Sequence, residues 1–476
     1  MHRRALALFA LLAACDPSAP APAPSSTASS AGPLRAQSEG ERAALAPTQA
    51  RPPLAFGSIA EQDELRTAWL RERLEQVLPA LMREHGVDAW LVIAREYNEG
   101  PAFFSLVAPQ THAARRTTIL AFFDRGPEQG VERLALGGGS QSGLYTVYRD
   151  PEIEGRELYG TAQWALLRKL LDERAPEHIA INSSRDHAFA DGLSAGLHAR
   201  LVEALGPHAE RLQPAEGLAI DYIYQRTPSM RSEYRELMAI AHEIIAHSFS
   251  AAVIRPGETT TDEVVAAMRE QARARGLGEW FVPTVDLQRQ GREAGSPLDE
   301  GVSPVIERGD VLHCDFGLVG LGLATDTQHL AYVLKEGERE PPAGLQAALR
   351  RANQLQDILM AEMQPGRTGN EVLAEALEAM RAADIDGSIY THPIGDQGHG
   401  AGPLIGLWDR QEAIPARGEV KLRAETWYAI ELQATSPVPE WGGQPLRAGL
   451  EEDAILTAEG RMEWILRRQE SFHLVH

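Results

Sequence analysis

Charged side chains set inside apolar, strand-like runs constrain this chain more than any other feature. In the last third, Asp315, Asp326, His399, Glu431 and Glu452 each lie on or beside a segment that reads as a β-strand. Asp315 falls in an apolar run, 311–317, and Asp326 in a second, with Gly320 and Gly322 between them. Apolar runs either side of a glycine-rich centre predict a hairpin. A turn centred on Gly320 and Leu321 sets the two aspartates directly opposite each other, with Cβ atoms about 4.5–5.5 Å apart. Like charges so placed repel unless a cation lies between them or one is protonated. A solvated hairpin with two surface acids gives the same letters, although His313 and Cys314 suit a solvated edge poorly.

The other three positions are individually ordinary. His399 is flanked by glycines over 398–402, which permits close backbone approach, yet a lone loop histidine is also a common structural residue. Glu431 ends the apolar run 427–430, and a buried glutamate needs a partner or a metal. The triplet Glu451-Glu452-Asp453 precedes an apolar strand and reads equally as a solvated strand start. Four carboxylates and one imidazole in one place suit a pair of divalent cations, Mn²⁺ first, with Zn²⁺ or Co²⁺ as alternatives. Two metals sharing carboxylates generate a hydroxide at neutral pH and polarise an amide carbonyl.

Taken in order, the pattern is Asp, Asp eleven residues on, Gly-His-Gly, Ile-Glu, then Glu-Asp before an apolar strand. It resembles the pita-bread metallopeptidases, which include aminopeptidase P, prolidase and methionine aminopeptidase. The resemblance runs from about 223 to 466. It takes in Arg231-Ser232-Glu233 opening a long helix, and Ile254-Arg255-Pro256-Gly257 ahead of Thr260-Thr261-Asp262-Glu263. Residues 58–218 resemble the amino-terminal domain of the creatinase, prolidase and aminopeptidase P branch.

The resemblance implies an α/β (α+β) fold, with a creatinase-like α/β domain over 58–220 and a pita-bread catalytic domain over 221–476. Asp315 would bind one metal, Asp326 and Glu452 would bridge, and His399 and Glu431 would complete the second metal, with Glu431 also the general base. Assigning the bridge to Glu452 rests on the family's Glu-Asp pair; alternation along a strand lets only one of Glu451 and Glu452 point inward. The implied reaction is hydrolysis of Xaa-Pro bonds at peptide amino termini or in dipeptides, by a metal-bridging hydroxide. A silent binding module of the same fold, or a peptidase of other specificity, is the alternative. A homodimer is compatible with either.

The chain also departs from its relatives. They carry a further histidine seven residues after the metal histidine and another four residues before it. Counted from His399, those positions are Gly406 and Gly395. A third family histidine, ahead of the first aspartate, has no counterpart. His392 and His313 are the catalytic substitutes at hand, and each also reads as a packed structural residue.

The amino terminus opens with a basic Met1-His2-Arg3-Arg4 and an apolar stretch over 5–12, and Leu12-Ala13-Ala14-Cys15 has the form of a lipobox. This resembles a bacterial lipoprotein precursor: a signal peptide over 1–14, cleavage before Cys15, and a membrane anchor through lipid on Cys15. A fortuitous cysteine after a simple signal peptide is the plain alternative. Asp16 resembles the inner-membrane retention signal of many Gram-negative lipoproteins. The expected location is therefore the periplasmic side of the inner membrane, with the outer membrane as the alternative. Ala, Pro and Ser dominate from 16 to about 53, so 15–57 is expected to be a flexible tether. No later segment is apolar enough to span a bilayer.

A formal charge of −21 opposes nucleic-acid binding, which needs basic surface. With only two cysteines, Cys314 has no intramolecular partner once Cys15 is lipidated, and its strand position turns it into packing. About 420 residues remain, enough for two domains with separate cores. Helices are expected over 62–84, 157–173, 193–205, 231–253, 261–275, 346–364 and 370–383. Strands are expected over 87–93, 117–123, 133–136 and 178–182, and strands dominate after the last helix.

Overall fold

The helical apolar period over 62–84 forms as two helices, Ile59–Glu72 and Leu78–Glu84, joined by a π-turn at Arg73–Val77. Ser58 caps the first through a reciprocal bond with Glu61. The computed structural model describes residues 54–137, 139–150, 162–292 and 303–476. Cys15, the expected tether as far as residue 53 and the start of the helix expected over 157–173 lie outside them.

The first sheet contains β1 (Ala89–Arg95), β2 (Thr117–Asp124), β3 (Val131–Leu136), β4 (Thr146–Val147), β5 (Ile179–Ile181) and β6 (Leu212–Pro214), in the order β4-β3-β2-β1-β5-β6. β1, β2 and β3 run antiparallel, whereas β5 lies parallel to β1. Helices Ala162–Arg174 and Ala195–Leu205 bury leucines at helical spacing against this sheet.

The second region begins with the helices Arg231–Ser248 and Thr261–Ala274, the latter closed by the expected Thr260–Glu263 capping box. Its strands are β7 (Gly278–Glu279), β8 (Thr284–Gln288), β9 (Val311–Phe316), β10 (Leu318–Gly320), β11 (Leu323–Ala324) and β12 (Thr327–Val333). After helices Ala343–Glu362 and Gly369–Ala382 come β13 (Asp386–Ile389), β14 (His392–Pro393), β15 (Thr426–Ala429), β16 (Leu432–Pro437), β17 (Pro445–Leu450), β18 (Asp453–Leu456), β19 (Met462–Trp464) and β20 (His473–Val475). The sheets that hold the site are β20-β12-β9-β8 and β14-β15-β18-β19, with β13-β16-β17 alongside. The β17–β18 junction joins them, because Glu451 pairs with Gln328 and exchanges both backbone hydrogen bonds with it. This arrangement is a pita-bread domain.

Two expectations need correction. The cores are only partly separate: one buried cluster runs from Leu70 and Trp90 through Tyr224 to Leu330, Tyr428 and Phe472, while a second stays within residues 89–205. The hairpin register also differs. The two-residue turn is Leu321-Gly322, both at positive φ (55° and 74°), as a type I′ turn demands. Gly320 is a strand residue whose missing Cβ admits Leu237, Leu277 and Phe56. The one-residue shift of the turn pairs Asp315 with Gln328 instead of Asp326. Asp326 stands two positions from that partner, on the same face.

Candidate active site

Five side chains converge where the sheets meet: Asp315 from β9, Asp326 just before β12, His392 from β14, Glu431 between β15 and β16, and Glu451 between β17 and β18. One carboxylate oxygen each of Asp326 and Glu451 and a ring nitrogen of His392 lie within 4.8 Å of one another. His392 Nε2 lies 3.6 Å from Asp326 Oδ2 and 3.5 Å from Glu451 Oε1. Asp326, His392 and Glu451 form the buried floor, while Asp315 and Glu431 keep partial access to solvent.

Two residues expected in this cluster are elsewhere. Glu452 points to the opposite face, as strand alternation requires once Glu451 is fixed by pairing with Gln328. There it accepts bonds from His242 Nε2 (2.8 Å) and His329 Nε2 (2.6 Å). His399 stands at the exposed mouth, its ring edge-on to His392 at 4.7 Å and its Nε2 3.2 Å from the Tyr390 hydroxyl. The glycine flanks suggested a ligand, but their missing side chains serve packing instead: a Cβ at Gly398 would enter the Trp280 ring. His392 takes the floor position, carried by pairing with Ala429. Counted from His392, the position seven residues later is His399, and four residues earlier is Ser388. That seven-residue spacing was the available signal for His392.

His313 is outside the cluster. Its Nδ1 meets Asp286 (3.1 Å) and its Nε2 donates to Gln328 Oε1 (2.9 Å). Burial opposes its charge, but the Asp286 carboxylate prevails and pushes its pKa up to about 9. The Gln328 amide then donates to Glu431 Oε1 (2.8 Å) and Glu451 Oε2 (2.9 Å), orienting both glutamates. Trp280 was also missed by sequence reasoning. It donates to the Thr325 carbonyl (2.9 Å) and packs edge-on against His399, walling the mouth. Cys314 is buried and free, as expected, with burial pushing its thiol pKa up.

Burial and mutual repulsion shape the electrostatics. Desolvation raises Asp315 to about 6 and Glu431 to about 8, and holds Asp326 and Glu451 well above the usual carboxylate range. Burial and His399 push His392 down to about 3, leaving a neutral ring. Its Nδ1–H donates to the Pro393 carbonyl, so the Nε2 lone pair faces the carboxylates. Asp315 Oδ1, Asp326 Oδ1, His392 Nε2 and Glu451 Oε1 are all buried without a hydrogen-bond partner. A lone pair among carboxylate oxygens is relieved by protonation of a carboxyl or by a cation between them, and this donor set fits hard divalent ions. The second group of metal-capable residues, His242, His329 and Glu452, differs. Its hydrogen bonds are made, His329 Nδ1 meets His473 Nε2 at 3.1 Å, and no polar atom of the four is buried unpartnered.

Residues 235–458 match the sequence model of metallopeptidase family M24. Among solved structures, the chain is similar to an X-Pro aminopeptidase from Thermotoga maritima. The TM-score is 0.58 at 19% identity, covering 83% of this chain and 100% of that one. A Xaa-Pro dipeptidase from Bacillus anthracis gives a TM-score of 0.57 at 18% identity, covering 86% and 99%. The amino-terminal domain of the FACT complex subunit SPT16 from chickpea (Cicer arietinum) gives 0.52 at 11%, covering 87% and 99%. No curated protein matches the chain. These likenesses agree with the mixed α/β architecture and the pita-bread domain described above.

Proposed function

We propose that this chain is a metal-dependent peptidase acting on Xaa-Pro bonds, with Asp315, Asp326, His392, Glu431 and Glu451 holding two divalent ions, Mn²⁺ first. The observation that carries this reading is the set of four buried, unpartnered donor atoms on four different strands or junctions. Ions bound there would acidify a water and polarise the scissile carbonyl. Glu431 is suited to take the water's proton: it retains access to the mouth, and Gln328 fixes one oxygen while leaving the other free. Burial lifts its proton affinity toward neutrality, as a general base requires. His399 at the mouth can donate to the substrate carbonyl or its tetrahedral successor, oriented by Tyr390 and Trp280.

Arg417 favours a short substrate with a free carboxylate. It stands close enough to His392 and His399 to lower the pKa of both. It donates to the Gly400 carbonyl (2.7 Å), forms no ion pair among the described residues, and its Nε is buried without an acceptor. The amino-terminal domain is taken as 58–220 and the peptidase domain as 221–476, within which the family match falls. Cys15 is taken as the lipid anchor at the periplasmic face of the inner membrane, on the lipobox and Asp16 alone. Among the described residues, no helix is long and apolar enough to cross a membrane.

The test is a panel of Xaa-Pro dipeptides, their carboxamides and longer Xaa-Pro peptides against Mn²⁺-loaded protein. Cleavage of the dipeptides with loss of rate on amidation is expected. Folded, metal-loaded protein that cleaves none of the panel would favour a binding module.

A further inference from the structure

A cavity of about 280 Å³ lies between helix Ile59–Glu72 and the tip of the β10–β11 hairpin. Its apolar wall includes Trp69, Leu70, Phe104, Val107, Met230 and Leu323, and Arg66 and Arg73 line it too. It lies apart from the carboxylate cluster, and none of the five cluster residues lines it.

Three arginines, Arg66, Arg73 and Arg226, gather around the single carboxylate of Asp396. Arg73 Nη1 reaches Asp396 Oδ2 at 3.4 Å, but buried Arg226 claims the same carboxylate at 3.1 Å. The Arg73 side chain is almost wholly enclosed; its Nη2 donates to the Tyr222 and Ile223 carbonyls (2.5 and 3.4 Å), and its Nε is buried with no acceptor. Arg66 forms no hydrogen bond or ion pair among the described residues, and its guanidinium lies over Gly322, where a Cβ would approach Nη2 to 2.7 Å. Burial works against its charge, with Asp63 and Asp396 offsetting only part of that cost. Gln397 Oε1, also on the cavity wall, is buried and unbonded. A partly desolvated arginine without a matching anion, as Arg66 is, costs stability unless a ligand supplies one.

We propose that this cavity binds a small organic carboxylate with an apolar body. The carboxylate would pair with the Arg66 guanidinium, a planar pairing that such groups favour, with Arg73 adding positive charge from the cavity wall. The body would lie against Trp69 and Phe104. The volume is just below the range of about 300–1,000 Å³ found for drug-sized ligands, which suits a molecule the size of one acylated amino acid. Asp396 and Gln397 belong to the loop between His392 and His399, so an occupant would touch the segment that carries the mouth histidine.

Isothermal titration of the Mn²⁺-loaded full chain tests this with three probes. N-acetyl-L-leucine carries charge and body, N-acetyl-L-leucinamide the body alone, and acetate the charge alone. Saturable binding of N-acetyl-L-leucine is expected, with the other two weaker by about tenfold or more, as loss of a charge-assisted bond implies. Arg66→Met should weaken N-acetyl-L-leucine by a similar factor, and Arg66→Lys should recover part of it. No saturable heat from N-acetyl-L-leucine would overturn the proposal, as would equal binding of the amide. Unchanged affinity in folded Arg66→Met would do so too, by assigning the heat to the carboxylate cluster's ions.

Discussion

His392 Nε2 faces Glu451 Oε1 across 3.5 Å with no hydrogen bond between them. The ring's only proton is committed to the Pro393 carbonyl. Two acceptors held together in the dry floor of a site repel, and the folded state keeps them there because strand pairing fixes both backbones. A cation removes the repulsion, which is why these two residues, and not His399 and Glu452, are read as ligands.

His392→Ala should therefore lose metal, falling from about two ions per chain toward one or none. His399→Ala should keep both ions yet turn over about 10²-fold more slowly, the lower end of what a positioned acid or donor supplies. Elemental analysis alongside steady-state kinetics separates the two. The reverse outcome would restore His399 as the ligand.

Glu431→Gln should retain most metal, since the amide still offers one oxygen, while kcat falls about 10²–10⁴-fold. Stopped assays on an Xaa-Pro dipeptide with parallel metal analysis check this. Activity within a few fold of the wild type would assign the base to another residue.

Gln328 sends its two amide protons to Glu431 and Glu451 and takes its own support from His313. Removing an outer partner of ligating carboxylates typically costs about 10–100-fold in metal affinity. Gln328→Met should show that loss in a Mn²⁺ titration followed by calorimetry. Gly449 stays small beside this chain, because a Cβ there would lie 3.0 Å from His313 Nε2. Wild-type affinity in the variant would reduce Gln328 to a packing role.

Three residues of the cluster were legible in the sequence, and the addresses of two were not. Asp315, Asp326 and Glu431 stood out because charge interrupts apolar strand patterns, and the structure brings all three together. Glu451 and Glu452 are adjacent, and alternation decides between them only once the pairing of Gln328 with Glu451 is known. That is a contact across more than a hundred residues, invisible to local pattern. His392 precedes a proline in a two-residue strand and carries no local sign of a ligand, whereas His399 sits among glycines that serve the packing of Trp280. The hairpin register failed by one residue because two glycines competed for the turn, and only clearance around Gly320 distinguishes them. Helices were the more readable elements, since caps such as Thr260–Glu263 are local.

Glu452 supplies a contrast with its neighbour. It accepts two buried imidazole N–H bonds and contributes nothing to the cluster. Glu452→Gln sets an amide N–H against a donor, leaving one buried group unmatched at a cost of about 1–3 kcal/mol. Denaturant unfolding should show that loss with metal content unchanged. Glu451→Gln should lose metal affinity while apo-protein stability is kept or raised, because one of the mutually repelling carboxylates is gone. Metal loss from Glu452→Gln would return it to the ligand set.

The last prediction concerns Cys15, on which the membrane assignment rests. A basic start, an apolar stretch and Leu-Ala-Ala before the cysteine form the motif, and an Ala/Pro/Ser-rich stretch follows. Each buried CH₂ of an attached chain contributes about 0.8 kcal/mol, so a multiply acylated cysteine holds a protein at a bilayer without a spanning helix. Cys15→Ser should block lipid attachment and leave an uncleaved precursor or a soluble form. Metabolic labelling with a radioactive fatty acid, followed by fractionation, reads both steps. Label that persists in Cys15→Ser would end the anchor assignment. Wild-type protein in the outer-membrane fraction would end only the retention step that rests on Asp16.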